Sequence, residues 1–187
     1  HFEHGLRVQT GYTDGGINLI SGNVRLSQNI VSGLIRELPT SDFLGLIRIL
    51  NLADDRSSER LSEILDNGIS ISRGLQRIAE EKDVLGNCLR EKKPSCEALF
   101  IEASDLQDEN RRSFETFLGR GTDVVGSIHR DVRTAKLSLQ YTLEEFQLRV
   151  ADADKVLSDA FVFREYNQKE SAELVSKLES LNRCLLD

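Results

Sequence analysis

Between Leu61 and Leu89 the aliphatic residues fall on one continuous 3-4-3-4 ladder: Leu61, Ile64, Ile71, Leu75, Ile78, Leu85 and Leu89. Gly68 and Lys82 occupy the two slots that break it. Such spacing lays a narrow apolar stripe along one side of a helix and presses it against a neighbour. A second ladder of the same kind reads Val125, Ile128, Val132, Ala135, Leu139, Phe146, Val150, Ala153, Leu157 and Ala160. At 1.5 Å per residue these stripes imply rods of about 50 and 60 Å. The expected fold class is therefore all-α: an elongated antiparallel helical bundle with coiled-coil-like long helices.

The rest of the chain agrees. It has two prolines, Pro39 and Pro94, and none from Ser95 to Asp187, a stretch in which helix can run without its strongest breaker. The spacing predicts helices over about 17–37, 42–52, 58–90, 96–118, 122–164 and 168–186, forming a single helical bundle domain over 17–187. Residues 1–16 carry four glycines and no apolar period, which predicts a flexible N-terminal lead-in. Ser41 or Thr40 is placed to cap the second helix, and Asn167 with Glu170 resembles a capping box opening the last one. Gly119 and Gly121 read as a helix stop and restart. As an anion cradle, Gly119-Arg120-Gly121-Thr122 lacks the strand and lysine of a phosphate loop.

The segment Asp42–Leu52 is apolar nearly all round, with Phe43, Leu44, Leu46, Ile47 and Leu50 among its members. A short helix of that kind is expected to be buried on several sides. Any of these residues left uncovered would form a surface for a partner or an apolar ligand.

Three cysteines test the topology. In an antiparallel arrangement Cys88 ends one helix and Cys96 begins the next. The following helices of about 36, 60 and 28 Å bring Cys184 back to the same level. Cys88, Cys96 and Cys184 are all disulfide candidates: a Cys88–Cys96 bridge would close a short loop around Pro94, and a bridge from Cys184 to either would staple the last helix. Each would contribute roughly 2–4 kcal/mol. One thiol is left over for a free or intermolecular role.

Function is constrained mainly by exclusion. A net charge of −7 argues against nucleic acid as a partner, because phosphate backbones demand a basic face. Arg90, Lys92 and Lys93 read as a solvated loop. No run of about 18 apolar residues exists to cross a bilayer. The chain lacks methionine and begins His1-Phe2-Glu3-His4, from which a processed N-terminus and a secreted protein are expected, with signal-peptide removal as a ready explanation.

His1 and His4 form a weak candidate for copper, His129 reads as a half-buried helix residue, and the three histidines with the serines assemble no nucleophile motif. The carboxylates Asp105, Asp108, Glu109, Glu144 and Glu145 read as solvated faces. No enzyme, metal or cofactor is expected. The leading expectation is a secreted protein that binds another protein through its helix faces. Two other readings are a carrier of a lipid or other small apolar ligand in an inter-helix cavity, and a self-associating coiled-coil component that forms homo-oligomers.

Overall fold

A computed structural model describes residues 2–140 and 143–187. Among them are four long α-helices and no strand: α1 (Phe2–Glu37), α2 (Phe43–Lys92), α3 (Glu97–Ser138) and α4 (Leu143–Leu186). Single 3₁₀ turns at Leu38–Thr40 and Pro94–Cys96 follow α1 and α2, so both prolines stand where helices end. The all-α bundle is the fold the ladders imply. Its division into helices differs from the expected one in several places, each with a local cause.

The expected lead-in is the first half of α1. Its inward stripe is built from Leu6, Gln9, Thr13, Gly16 and Ile17, all buried. The helical period is present but is carried by polar and small residues. At Gly16 a Cβ would overlap the ring of Phe114, so this glycine permits close packing and does not break the helix.

The two predicted helices over 42–52 and 58–90 are one, α2. Gly119 and Gly121 lie inside α3. A side chain at Gly121 would collide with Ile20 of α1, so α3 keeps a glycine there to approach α1. The predicted helix 122–164 is interrupted after Ser138, where Leu139 takes a left-handed backbone with φ of 54°. Its amide donates to Ala135 O at 2.9 Å. Ser138 Oγ donates back to Thr134 O (2.7 Å) and accepts from Gln140 N (3.2 Å), closing the helix end. Asn167 and Glu170 sit buried within α4 and cap nothing.

The chain divides into two compact units. Unit 1 comprises His1–Ile17, Ile69–Thr116 and Val162–Asp187, and unit 2 comprises Asn18–Gly68 and Phe117–Phe161. Each is a four-helix assembly with its own core. In unit 1, Leu6 from the start of α1 packs with Leu89 from the end of α2, Cys96 from the 3₁₀ turn before α3, Phe100 from the first turn of α3, and Leu174, Leu178 and Leu181 from α4. In unit 2, Val31, Leu34 and Leu38 meet Leu50, Ala53, Ile128, Val132, Ala135 and Phe146. Successive segments are therefore antiparallel within each unit, as short connections require.

Both ladders face inward for most of their length, with Leu139 at the break after α3 exposed. Ile64, Leu75, Ile78 and Leu89 are buried, as are Val125, Ile128, Val132, Ala135, Phe146, Ala153 and Ala160. The exceptional slots are occupied rather than skipped: Gly68 lies beneath Leu118, and Lys82 is buried.

The disulfide joins Cys96 to Cys184, with their Cα atoms 5.8 Å apart. The short Cys88–Cys96 loop is not formed, and Cys88 is an exposed free thiol on α2. The bridge holds the start of α3 against the last turn of α4 inside the unit 1 core.

Candidate functional site

The five apolar candidates on α2 separate by depth. Asp42, not Ser41 or Thr40, caps the helix: its Oδ1 accepts from Gly45 N at 2.6 Å. The hydroxyls of Thr40 and Ser41 turn back to Glu37 O and finish α1. This entry angle sends Leu50 fully into the core, so it belongs to no surface, and leaves Leu46 and Ile47 half-buried. Phe43 and Leu44 remain 62% and 71% exposed. The expected burial on several sides is thus not found at the first turn of α2.

Leu38 and Leu50 flank the α1–α2 turn, and Ala135 and Phe146 flank the α3–α4 turn. All four share one core. The two turns therefore close the same end of unit 2. Exposed apolar side chains come from both hairpins there: Phe43 and Leu44 from one, Leu137, Leu139 and Leu148 from the other.

Beside this end, α1 and α2 of unit 2 leave a surface groove. One part, of about 310 Å³, is lined by Leu26, Asn29, Ile30, Arg56, Glu59 and Arg60. A second part, of about 170 Å³, shares Asn29, Ile30 and Arg56 and adds Gly33, Glu37, Ile49 and Leu52 among its walls. Another groove, of about 530 Å³, lies between α1 and α4 against Ser32, Ile35, Arg36, Gln147 and Val150.

Two clusters of polar side chains lie inside. In unit 2, Asp54 is buried and meets Lys136 at 2.8 Å, Arg133 at 3.6 Å and His129 at 3.9 Å. The hydrogen bond from Lys136 holds its carboxyl below the usual carboxylate range against the opposing cost of burial, with Arg133 and His129 adding to the effect. His129 Nδ1 also lies 2.8 Å from Ser57 Oγ. A serine, a histidine and an aspartate thus meet, a grouping that sequence spacing did not reveal. A nucleophile relay needs opposite nitrogens of the ring for its two partners, whereas here both face Nδ1. Ser57 is also fully buried and directs its hydroxyl to Asp54 O at 3.2 Å.

In unit 1, Asn110 Nδ2 donates to Asn167 Oδ1 at 3.1 Å, Asn167 Nδ2 donates to Asp14 Oδ1 at 2.6 Å, and Gln9 Nε2 donates to Gln107 O at 3.3 Å. Glu170 lies buried in the same unit. Burial raises its carboxyl above the usual range, and the nearby charges of Glu109 and Glu173 push the same way, against the Tyr166 phenol. Burial and Glu170 in turn push the Tyr166 phenol up. Lys82 reaches Asp108 at 2.6 Å and Ser104 O at 3.4 Å, which gives Asp108 a partner where a solvated face was expected. His4 is exposed on α1, and His1 lies outside the described residues.

No protein-family model matches the chain, and neither a curated protein nor a solved structure matches it. No described helix is long and apolar enough to cross a membrane.

Proposed function

We propose that this chain is a secreted, non-enzymatic protein that acts by holding another protein against its helix faces. One observation carries the reading: Phe43, Leu44, Leu137, Leu139 and Leu148 stand in water at a single end of unit 2, above a core already filled by Leu38, Leu50, Ala135 and Phe146. Covering apolar surface of this kind is favourable by about 25 cal/mol per Å², and clustered exposed apolar side chains mark contact sites. The ion pairs Lys136–Asp54 and Lys82–Asp108 support the same reading, because these charged groups are engaged with one another. The Cys96–Cys184 bridge supports an oxidising, extracellular setting.

The test compares the full chain with Phe43→Asp/Leu44→Asp and Leu137→Asp/Leu148→Asp. All three are immobilised and exposed to extracellular fluid from the source organism, and captured proteins are identified by mass spectrometry. A protein held by the parent should be lost from at least one variant whose helical spectrum and melting are unchanged. Capture that is the same for all three overturns the reading.

A further inference from the structure

We infer that the groove between α1 and α2 of unit 2 seats an amphipathic helix of a partner protein, one that carries a carboxylate along its apolar stripe. The inference rests on the protein-binding reading and gives it a second surface and a partner chemistry. The groove is amphipathic: Leu26 and Ile30 line its first part beside Asn29, Arg56, Glu59 and Arg60, and Ile30, Ile49 and Leu52 make its second part more aliphatic. Leu26 in the first part and Leu52 in the second are 46% and 49% exposed, and Ile30 borders both parts. At Gly33 nothing stands within 4 Å of where a Cβ would be, so the α1 wall is low and a helix can come close to its backbone.

Charge selects the occupant. Arg60 is neutralised by Glu59 and Glu63, each at 2.8 Å. Arg56 borders both parts of the groove, is exposed, and has no carboxylate partner among the described residues. Glu37 lines the far part. An acid on the incoming helix pairs with Arg56 and a base pairs with Glu37, which fixes the direction in which the helix lies.

The α2 wall from Ile49 to Arg60 is about 16 Å long, room for three helical turns, and their apolar residues would fall at three- and four-residue steps. An acyl chain is the poorer occupant. The groove is open along its length, so one side of a lipid tail would stay in water, whereas an amphipathic helix brings its own polar outer face.

The experiment selects binders from a displayed library of helical 18-residue peptides with fixed leucines at three- and four-residue steps and randomised flanking positions, using the full chain as bait. Selected peptides should be enriched in Asp or Glu at one edge position. They should bind about tenfold or more weakly to Arg56→Glu, and an Asp-to-Lys exchange in the peptide should recover that loss. They should fail to bind Leu52→Asp and Gly33→Gln. Gly33→Gln fills the groove from a half-buried helix position where nothing stands within 4 Å of the new Cβ, so it separates a blocked groove from a damaged fold.

Binders indifferent to Arg56→Glu and Gly33→Gln but lost with Phe43→Asp/Leu44→Asp overturn the groove and leave the general reading intact. A library that yields no binder to the groove overturns the inference, and the general reading then stands or falls with the capture experiment. Uptake of dodecanoate in the groove, with no peptide able to compete, assigns it to a lipid and overturns the inference.

Discussion

Lys82 Nζ lies 2.6 Å from Asp108 Oδ1 in unit 1, with the lysine side chain only 3% exposed. It occupies a slot in the Leu61–Leu89 ladder that an aliphatic residue would otherwise fill. Removing one partner strands a buried ammonium, while replacing that ammonium with a hydrocarbon removes the problem. Asp108→Asn should therefore destabilise the protein by about 2–3 kcal/mol, below the value for a fully buried pair because Asp108 is part-exposed. Lys82→Met should be neutral or stabilising. Urea denaturation of the two variants checks this, and equal losses from both would contradict it.

The Cys96–Cys184 bridge closes a loop over a sequence separation of 88 residues. Chain entropy then predicts that Cys96→Ser/Cys184→Ser costs roughly 4–5 kcal/mol. In the native, unreduced protein a maleimide should label one site, Cys88. Peptide mapping reads both the site and the count, and the midpoint of denaturation reads the stability.

Glu170 has a folded-state value raised above its ordinary 4.5, so the native state holds its proton longer than the unfolded chain does. Its contribution is fully present below pH 4.5 and is lost as pH rises through the folded value. Glu170→Gln should flatten the fall in stability over that window and raise stability at neutral pH. Denaturant melts across a pH series provide the comparison.

Asp54 works in the opposite sense. Its folded value lies below the ordinary 3.8, so the stability it supplies is present above pH 3.8 and lost as pH falls through the folded value. Lys136→Met removes the first cause of that shift. The variant should lose stability near neutrality and show a shallower acid transition than the parent.

Leu139 is the only non-glycine residue with positive φ among the described residues, and it is exposed. A left-handed backbone costs an L-residue roughly 1–2 kcal/mol that glycine avoids. Leu139→Gly should therefore stabilise by about 1 kcal/mol after the entropy that glycine adds to the unfolded chain. An unchanged or lower melting temperature would show that its side chain is held by more than its exposure suggests.

These residues also show how far the fold could be read from the sequence. Ile64, Leu75, Ile128 and Val132 were legible as core because hydrophobic period and burial coincide there. The first half of α1 was not, since its inward positions are held by Gln9, Thr13 and Gly16, which an apolar count ignores. Leu139 hid the α3–α4 break for two reasons. It is not glycine or proline, and Phe146 follows seven residues later, so the heptad spacing runs on through the turn.

Of the candidate surface, Phe43 and Leu44 were legible as an apolar excess. That Leu50 faces inward depended on the Asp42 cap. The groove needs Ile30 of α1 beside Arg56 of α2, a proximity that no local pattern encodes. The meeting of Ser57 with His129 was hidden for the same reason.

The link from Cys96 to Cys184 spans the α3–α4 connection, and this changes what cleavage there can do. A protease that cuts beside Leu139 or Gln140 separates the polypeptide into two pieces that remain one covalent body. The clipped molecule keeps its mass apart from one added water, and its halves part only when reductant and denaturant act together.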